Sequence, residues 1–426
     1  MSVSIKFFIL LTLIPSLSFS LTFKDGKQVV DKLINEEIDK TIKIPKYFFA
    51  NSLNQNTCSI KGYHGDGSWG EKYSEMNLTL LDEKNYSYMM KFVDYDWNKD
   101  HNERSNSLSV NHDKHTSRLA LLHGTIINSI ISETIDEESK YITEIMTAWA
   151  EAGVFLNTLT LDDIKKLKEE GKTPKGCYGG GKGDIHAECL PHRVHEAQIY
   201  GASFMINAYI VKDYFSTEQF KIIDEYIDAL YTKYVFPWAY KHLMDDRAFI
   251  QMADGTISAL AYVAWKNKPD ESYVWFKRGI DKANRVIYED GYIHNNSFRG
   301  VRDVWYHSQG VNNLLGLMAI SDIWGYHNFP ENLKQKIFKT VDILNLGLTD
   351  VKKYRERKDP SGLINFSTDQ KNAAYHVHQM AISIDWLIDN YTDRDSSIVK
   401  KDYMWKALKS QYFVDRNFGF EPKCMN

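Results

Sequence analysis

The stretch Arg299-Gly300-Val301-Arg302-Asp303-Val304-Trp305-Tyr306-His307 puts an arginine, a tyrosine and a histidine close together. A tyrosine is a poor base at neutral pH, because its free pKa is about 10. A guanidinium beside it stabilises the phenolate and lowers that value. Arg, Tyr and His facing one cleft therefore make a proton-transfer site. Arg299 and Tyr306 are seven positions apart. On one helix that is two turns, and both side chains leave from nearly the same face. The same spacing also suits a helix in which Trp305 and Tyr306 are core and Arg299 is a solvated neighbour.

A second group of such residues follows Gly179-Gly180-Gly181: His186-Ala187-Glu188-Cys189-Leu190-Pro191-His192-Arg193-Val194-His195. His192 with Arg193 is a pair able to meet an anion. The same residues suit the first turn of a helix entered after Pro191. His186 with His192 or His195 is an arrangement open to a metal, but Cys189 reads better as half of a disulfide. No metal and no cofactor is expected. His376 and His378 diverge by about 200° on a helix and lie on opposite faces of a strand, and read mainly as structural. Trp69, Tyr95 and Trp97 lie in polar, irregular sequence, where they serve as sugar platforms or as packing.

Helices must position these groups. Ser216-Thr217-Glu218-Gln219 is a capping box, and Phe220, Ile223, Ile227 and Leu230 recur behind it at three and four, up to Pro237. Pro330 suits a first helical position, with the stripe Leu333, Ile337, Val341, Leu344 and a stop at Gly347. Val311, Leu314, Leu315, Met318 and Ile320 make another helix. Ala259–Trp265 and Trp275–Ile287 read as an antiparallel pair joined across Asn267-Lys268-Pro269-Asp270. Tyr141–Ala152, His195–Val211 and Ala373–Asn390 add more. The region from about Leu21 to Lys114 is polar and irregular, with His64–Gly70 as an exposed loop, and helical periodicity dominates from Arg118. Strand signals are scarce. The fold class is all-α, with hairpins of helices burying their stripes against one another. A closed ring of such hairpins, an α/α toroid, and an open stack share this pattern.

Composition narrows the function. Net charge is −4, which lacks the basic footprint of a nucleic-acid binder. An anionic substrate therefore needs a local cluster of Arg and Lys. The aromatic share, 13%, leans toward sugar binding. Lys6, the apolar run Phe7–Ile14 and the small residues Ser16–Ser20 have the layout of a secretory signal peptide cleaved near Ser20. The run is short for a membrane span, so no stable insertion is expected after cleavage. A periplasmic or secreted location follows, with 21–426 as a single domain. Cys58, Cys177, Cys189 and Cys424 allow two disulfides in three connectivities. Cys177–Cys189 is the easiest pair across the glycines, and Cys58–Cys424 would then tie the two ends.

The stretch Asp290-Gly291-Tyr292-Ile293, Arg299-Gly300 and Tyr306-His307, followed by Gly310–Ala319, resembles the alginate lyase superfamily of polysaccharide lyases. The resemblance is clearest from about Arg247 to Gly347. It implies an incomplete α/α toroid acting on an anionic uronic-acid polymer without an obligatory metal. Such lyases remove the proton on C5 of a uronate and expel the oxygen on C4. The carboxylate must be neutralised to stabilise the developing enolate-like charge, and a base must reach C5. By resemblance Tyr306 is base and acid, and Arg299 tunes it or touches substrate. His307 is grouped with the substrate contacts.

There is one departure. The alginate-cleaving members usually carry Asn-Asn-His one helix earlier, where this chain has Arg247-Ala248-Phe249-Ile250-Gln251-Met252-Ala253-Asp254-Gly255. Gln251 can donate to the carboxylate and Arg247 can add charge. His192 with Arg193, or His294-Asn295-Asn296, are the other sources, with Asn296 taken as a substrate contact. A glycoside hydrolase on the same scaffold would need two carboxylates across the bond, from Asp254, Glu188 and Asp303. A non-catalytic glycan-binding protein is the third expectation.

Overall fold

A computed structural model of the chain describes residues 41–53, 62–64, 74–76, 79–93, 106–156, 192–237, 252–298, 303–358 and 381–399, with isolated positions around 160–171 and at 239. Among them are a two-stranded antiparallel ribbon, β1 (Gly62–His64) and β2 (Ser74–Met76), and eleven α-helices. These are α1 (Glu83–Met90), α2 (Asn106–Ile131), α3 (Ile135–Glu151), α4 (His192–Ile210), α5 (Thr217–Leu230) and α6 (Met252–Lys266). Then follow α7 (Pro269–Val286), α8 (Asp303–Ile323), α9 (Glu331–Thr349), α10 (Val351–Tyr354) and α11 (Ala381–Tyr391). The fold is all-α, as the periodicity predicts.

The helices pack in two rows. α2, α4, α6, α8 and α11 form the inner row, each against the next. α3, α5, α7 and α9 form the outer row, each against the inner helix it follows. Sequence pattern accounts for the division. α8 is buried on every side over most of its length, and its residues are correspondingly apolar or small all round. α7 and α9 bury one stripe each and keep a polar face.

Side-chain contacts give the directions. Along α6, Tyr262 donates to Asp228 of α5 and Trp265, further on, to the earlier Asp224, each at 2.8 Å. α5 is therefore antiparallel to α6. Gly201 of α4 faces Leu230 of α5, while Phe204, further along α4, meets the earlier Tyr226, so α4 and α5 are antiparallel too. The end of α7 meets the turn that leads into α8, through His294 N–H on the Val286 carbonyl at 2.8 Å, while Gly279 faces Leu317. α4, α6 and α8 thus run one way, and α5 and α7 the other. The N-termini of α4, α6 and α8 come to the same end of the inner row.

Local signals explain the elements well. Ser216 accepts from the Gln219 N–H at 3.2 Å, and Gln219 accepts from the Ser216 N–H at 3.0 Å. Past Leu230 the helix widens into one π turn, Tyr231–Val235, before Pro237, and Tyr231 stacks on Tyr262 of α6 at 3.6 Å. The α6–α7 hairpin turns at Asn267, whose φ of 52° is one that Asn tolerates. The N-terminal segment is tied down by two indoles: Trp324 donates to the Phe48 carbonyl at 2.9 Å, and Trp149 to the Met89 carbonyl at 3.1 Å.

Four expectations are corrected. α2 starts at Asn106, ahead of the point where apolar periodicity sets in. His64 belongs to strand β1 rather than to an exposed loop. Pro330 is the N-cap of α9, with extended ψ of 131°, and not its first helical residue. Gly347 does not end α9, which runs to Thr349. A Cβ on Gly347 would lie 3.0 Å from Val304 and 3.1 Å from Tyr354, so this glycine admits α8 and α10 to the helix surface. Residues 1–20, Trp69, Tyr95, Trp97, His376, His378 and the four cysteines lie outside the described residues, as does the stretch 373–380.

The Asp-Gly turn after α7 is tight. Gly291 has φ of 89°, and a Cβ there would stand 2.5 Å from the Lys339 carbonyl oxygen of α9. Gly291→Ala meets both a left-handed backbone and a fixed carbonyl. It should lower stability by roughly 2–4 kcal/mol, read as a drop in denaturation midpoint; an unchanged midpoint would show that the turn is not clamped on α9.

Candidate functional site

His192, Arg193 and Tyr306 lie at the end of the inner row where α4, α6 and α8 begin. His192 and Arg193 are the first two residues of α4. Gln251 directly precedes Met252, the first residue of α6, and lies outside the described residues together with Arg247 and Arg299. Tyr306 sits in the first turn of α8 and is half-exposed, its ring 4.6 Å from that of Trp305. The helix is described from Asp303, four positions after Arg299. Each helix start also carries the positive end of the helix dipole, which at α8 the Asp303 carboxylate already meets. One end of the inner row therefore gathers three positive ends.

His307 is corrected from substrate contact to internal anchor. Its ring is completely buried and both nitrogens are engaged. Nε2 lies 2.8 Å from the Thr340 carbonyl of α9, which can only accept, so Nε2 carries the proton. Nδ1 must then accept, and Ser297 Oγ donates to it at 2.7 Å. Ser297 Oγ in turn accepts from the Ile293 N–H at 2.7 Å. Every group in this chain of bonds is used with the imidazole neutral. Burial accordingly pushes the His307 pKa down to about 4.

Asn296 is corrected in the same way. It is completely buried, and its Nδ2 donates to the Tyr306 carbonyl at 2.8 Å. It therefore holds the helix backbone that bears the phenol. Asp303, a carboxylate considered for glycoside hydrolysis, is 4% exposed and already committed. It accepts the Val304 N–H at 2.8 Å and a two-pronged bond from Arg355 at 2.9 and 3.1 Å. That bond raises the Arg355 pKa further above its ordinary value. A carboxylate so placed completes the start of α8 and is not free to act on a sugar.

Around this anchor the aromatic residues are sealed. Tyr292 donates to the Tyr354 carbonyl at 2.8 Å, and Tyr354 donates to the Ser297 carbonyl at 3.1 Å. Burial pushes both phenols up, Tyr354 well above its ordinary value. Neither is suited to take a proton from a substrate. Arg357 lies within 6.0 Å of the Tyr288, Tyr292 and Phe298 rings and pairs with Asp290 at 2.6 Å, closing the turn from outside.

A comparable pair joins the inner helices. His123 of α2 donates through Nδ1 to Asn207 Oδ1 of α4 at 2.7 Å, and burial lowers its pKa to about 4. Among the described residues no three His, Cys, Asp or Glu side chains gather to hold a metal ion. Within the same residues no helix is long and apolar enough to cross a membrane. Ser297, Thr340 and Tyr354 were not singled out from sequence. Thr340 is 33 positions from His307, and no local spacing connects them. No model of a known protein family matches the chain, and neither does any curated protein.

Two neutral, buried imidazoles have a consequence for pH. The unfolded chain protonates its histidines near 6.5, whereas the folded rings resist until about 4. The unfolded state therefore binds more protons in that interval, and stability falls as pH drops from about 6.5 to 4. Each ring contributes up to about 3 kcal/mol across the whole window. Thermal melts at stepped pH should show this decline, and His307→Gln, less stable at pH 7, should show a shallower one. A melting temperature flat over the window would contradict the buried neutral rings.

Proposed function

We propose that this chain is a secreted polysaccharide lyase that cleaves alginate or a related polyuronate by β-elimination. The two rows of antiparallel helices are then the wall of an incomplete α/α toroid, with the sugar chain lying across the end where the inner helices start. What supports this reading above all is Tyr306. It is a half-buried tyrosine in the first turn of an inner helix, while the neighbouring Tyr292, Tyr354 and His307 are sealed inside. The N-termini of α4 and α6, at the same end, add a favourable field for an anionic polymer. This answers the need for local attraction in a chain of net charge −4.

The chemistry balances with one side chain. The Tyr306 phenolate takes the C5 proton. The C5–H electron pair becomes the C4–C5 double bond, and the bond from C4 to the glycosidic oxygen breaks. The leaving oxygen takes a proton back from Tyr306, which regenerates the phenolate. Proton and leaving group must lie on one side of the sugar ring for a single group to serve both. Arg299, His192, Gln251, Arg247 and Arg193 are the residues proposed to neutralise the carboxylate or tune the phenol. Trp97 is proposed as a sugar contact. A signal peptide over 1–20, disulfides among the four cysteines and a periplasmic or extracellular site of action belong to the same proposal.

The test is direct. Incubation with mannuronate-rich, guluronate-rich and glucuronan polymers should yield unsaturated uronates, seen as rising ultraviolet absorbance. Tyr306→Phe should remove that signal by a factor of 10² or more while melting like the parent chain. Products without a double bond would point to hydrolysis, and binding without product to a glycan-binding protein.

A further inference from the structure

The turn ahead of α8 is built around one amide. Asn295 takes a left-handed φ of 67°, which carries the chain back over the start of α8. There Asn296 Nδ2 donates to the carbonyl of Tyr306 at 2.8 Å. Asn296 can sit this close because position 310, one turn further along α8, is glycine. A Cβ on Gly310 would lie 3.2 Å from Asn296 Nδ2 and 3.5 Å from its Cγ, and 2.7 Å from Ile293 Cδ1. Asn296 and Gly310 are thus complementary parts, one filling the space the other leaves. Ser297, the next residue, holds His307, the residue after Tyr306. The carbonyl of Tyr306 and the side chain of the residue that follows it are therefore held by consecutive residues of one turn.

From this juxtaposition we propose that Asn296, seated over Gly310, is the positioning residue for Tyr306. Its amide sets the height and tilt of the first turn of α8, and with it the place of the phenol oxygen relative to the sugar. The proposal rests on the lyase reading above. It assigns Asn296 no contact with substrate, so its effect belongs to the chemical step rather than to binding. Placement within a fraction of an ångström is what such a step demands, and an error of about 1 Å costs on the order of a hundredfold in rate.

Three chains are compared with the parent: Asn296→Ala, Gly310→Ala and the double variant, each assayed by ultraviolet absorbance on the polyuronate the parent cleaves. Asn296→Ala removes the amide, and Gly310→Ala displaces it by filling its seat. Each single variant should lower kcat by roughly ten- to a hundredfold with KM within about twofold. The double variant should be no slower than the worse single one, since both act through the same bond. Circular dichroism and thermal melts separate loss of fold from loss of rate, and should one variant fail to fold the other carries the test. A merely structural role would lower the melting temperature and leave kcat of the folded enzyme unchanged; that result, or a rise in KM at constant kcat, overturns the proposal alone. A parent chain inert on every uronate in the panel overturns the lyase reading and this proposal together.

Discussion

The neutral imidazole of His307 is the constraint on which the start of α8 depends. It is a two-ended connector: one nitrogen donates to α9, and the other accepts from the turn before α8. Neither bond has a substitute in the buried interior, where an unmet polar atom costs about 1–3 kcal/mol. Because the Thr340 carbonyl dictates the tautomer, it also dictates that Ser297 donates and that the Ile293 N–H is received. Four residues from three segments are locked into one pattern of donors and acceptors. Reversal of any one would leave two like groups facing each other.

Fixing His307 inward turns Tyr306 away. Adjacent residues on a helix diverge by about 100°, so an imidazole aimed at α9 leaves the preceding side chain directed to a different surface. The half-exposure of Tyr306 is thus the other side of the complete burial of His307. Asp303 with Arg355 pins the same turn from its start, and Gly347 lets α9 come close enough for Thr340 to be reached. The rigidity comes from the interior, and the half-exposed residue inherits it.

Much of this architecture was legible in the sequence. Stripes at three and four, the Ser216 box and the Asn267–Asp270 turn place α5, α7 and α9 because each depends on neighbours within one or two turns. The all-round apolar character of α8 marks it as an inner helix for the same local reason. The roles of His307, Asn296 and Gly347 were not legible. His307 lies beside a candidate base and has the chemistry of a catalytic group. What makes it an anchor is Thr340, which a hairpin of two long helices brings to it. Gly347 resembles a helix stop because a glycine that ends a helix and one that admits a neighbour look alike until the neighbour is seen. Tyr306 was found from its residue type and context; Arg299, offered as its neighbour on one helix face, lies outside the described residues.

On the proposed function, a weakly acidic chain has to make its attraction for a polyanion short-ranged. Charge spread over the surface would repel the ligand from every side, and screening over about 8–10 Å would blunt any distant arginine. Helix N-termini escape this difficulty. Their field falls off within a turn, so it acts only where the ligand lies, and it adds no net charge to the chain. Parallel inner helices are the one arrangement of this fold that gathers several such ends, since the outer row returns each chain to the same starting side. Direction of the helices and sign of the ligand are thereby linked: a ligand laid across the opposite end would meet carbonyl oxygens, which suit a cation. For a ligand bearing a carboxylate on every sugar, the end that holds Tyr306 is the favourable one.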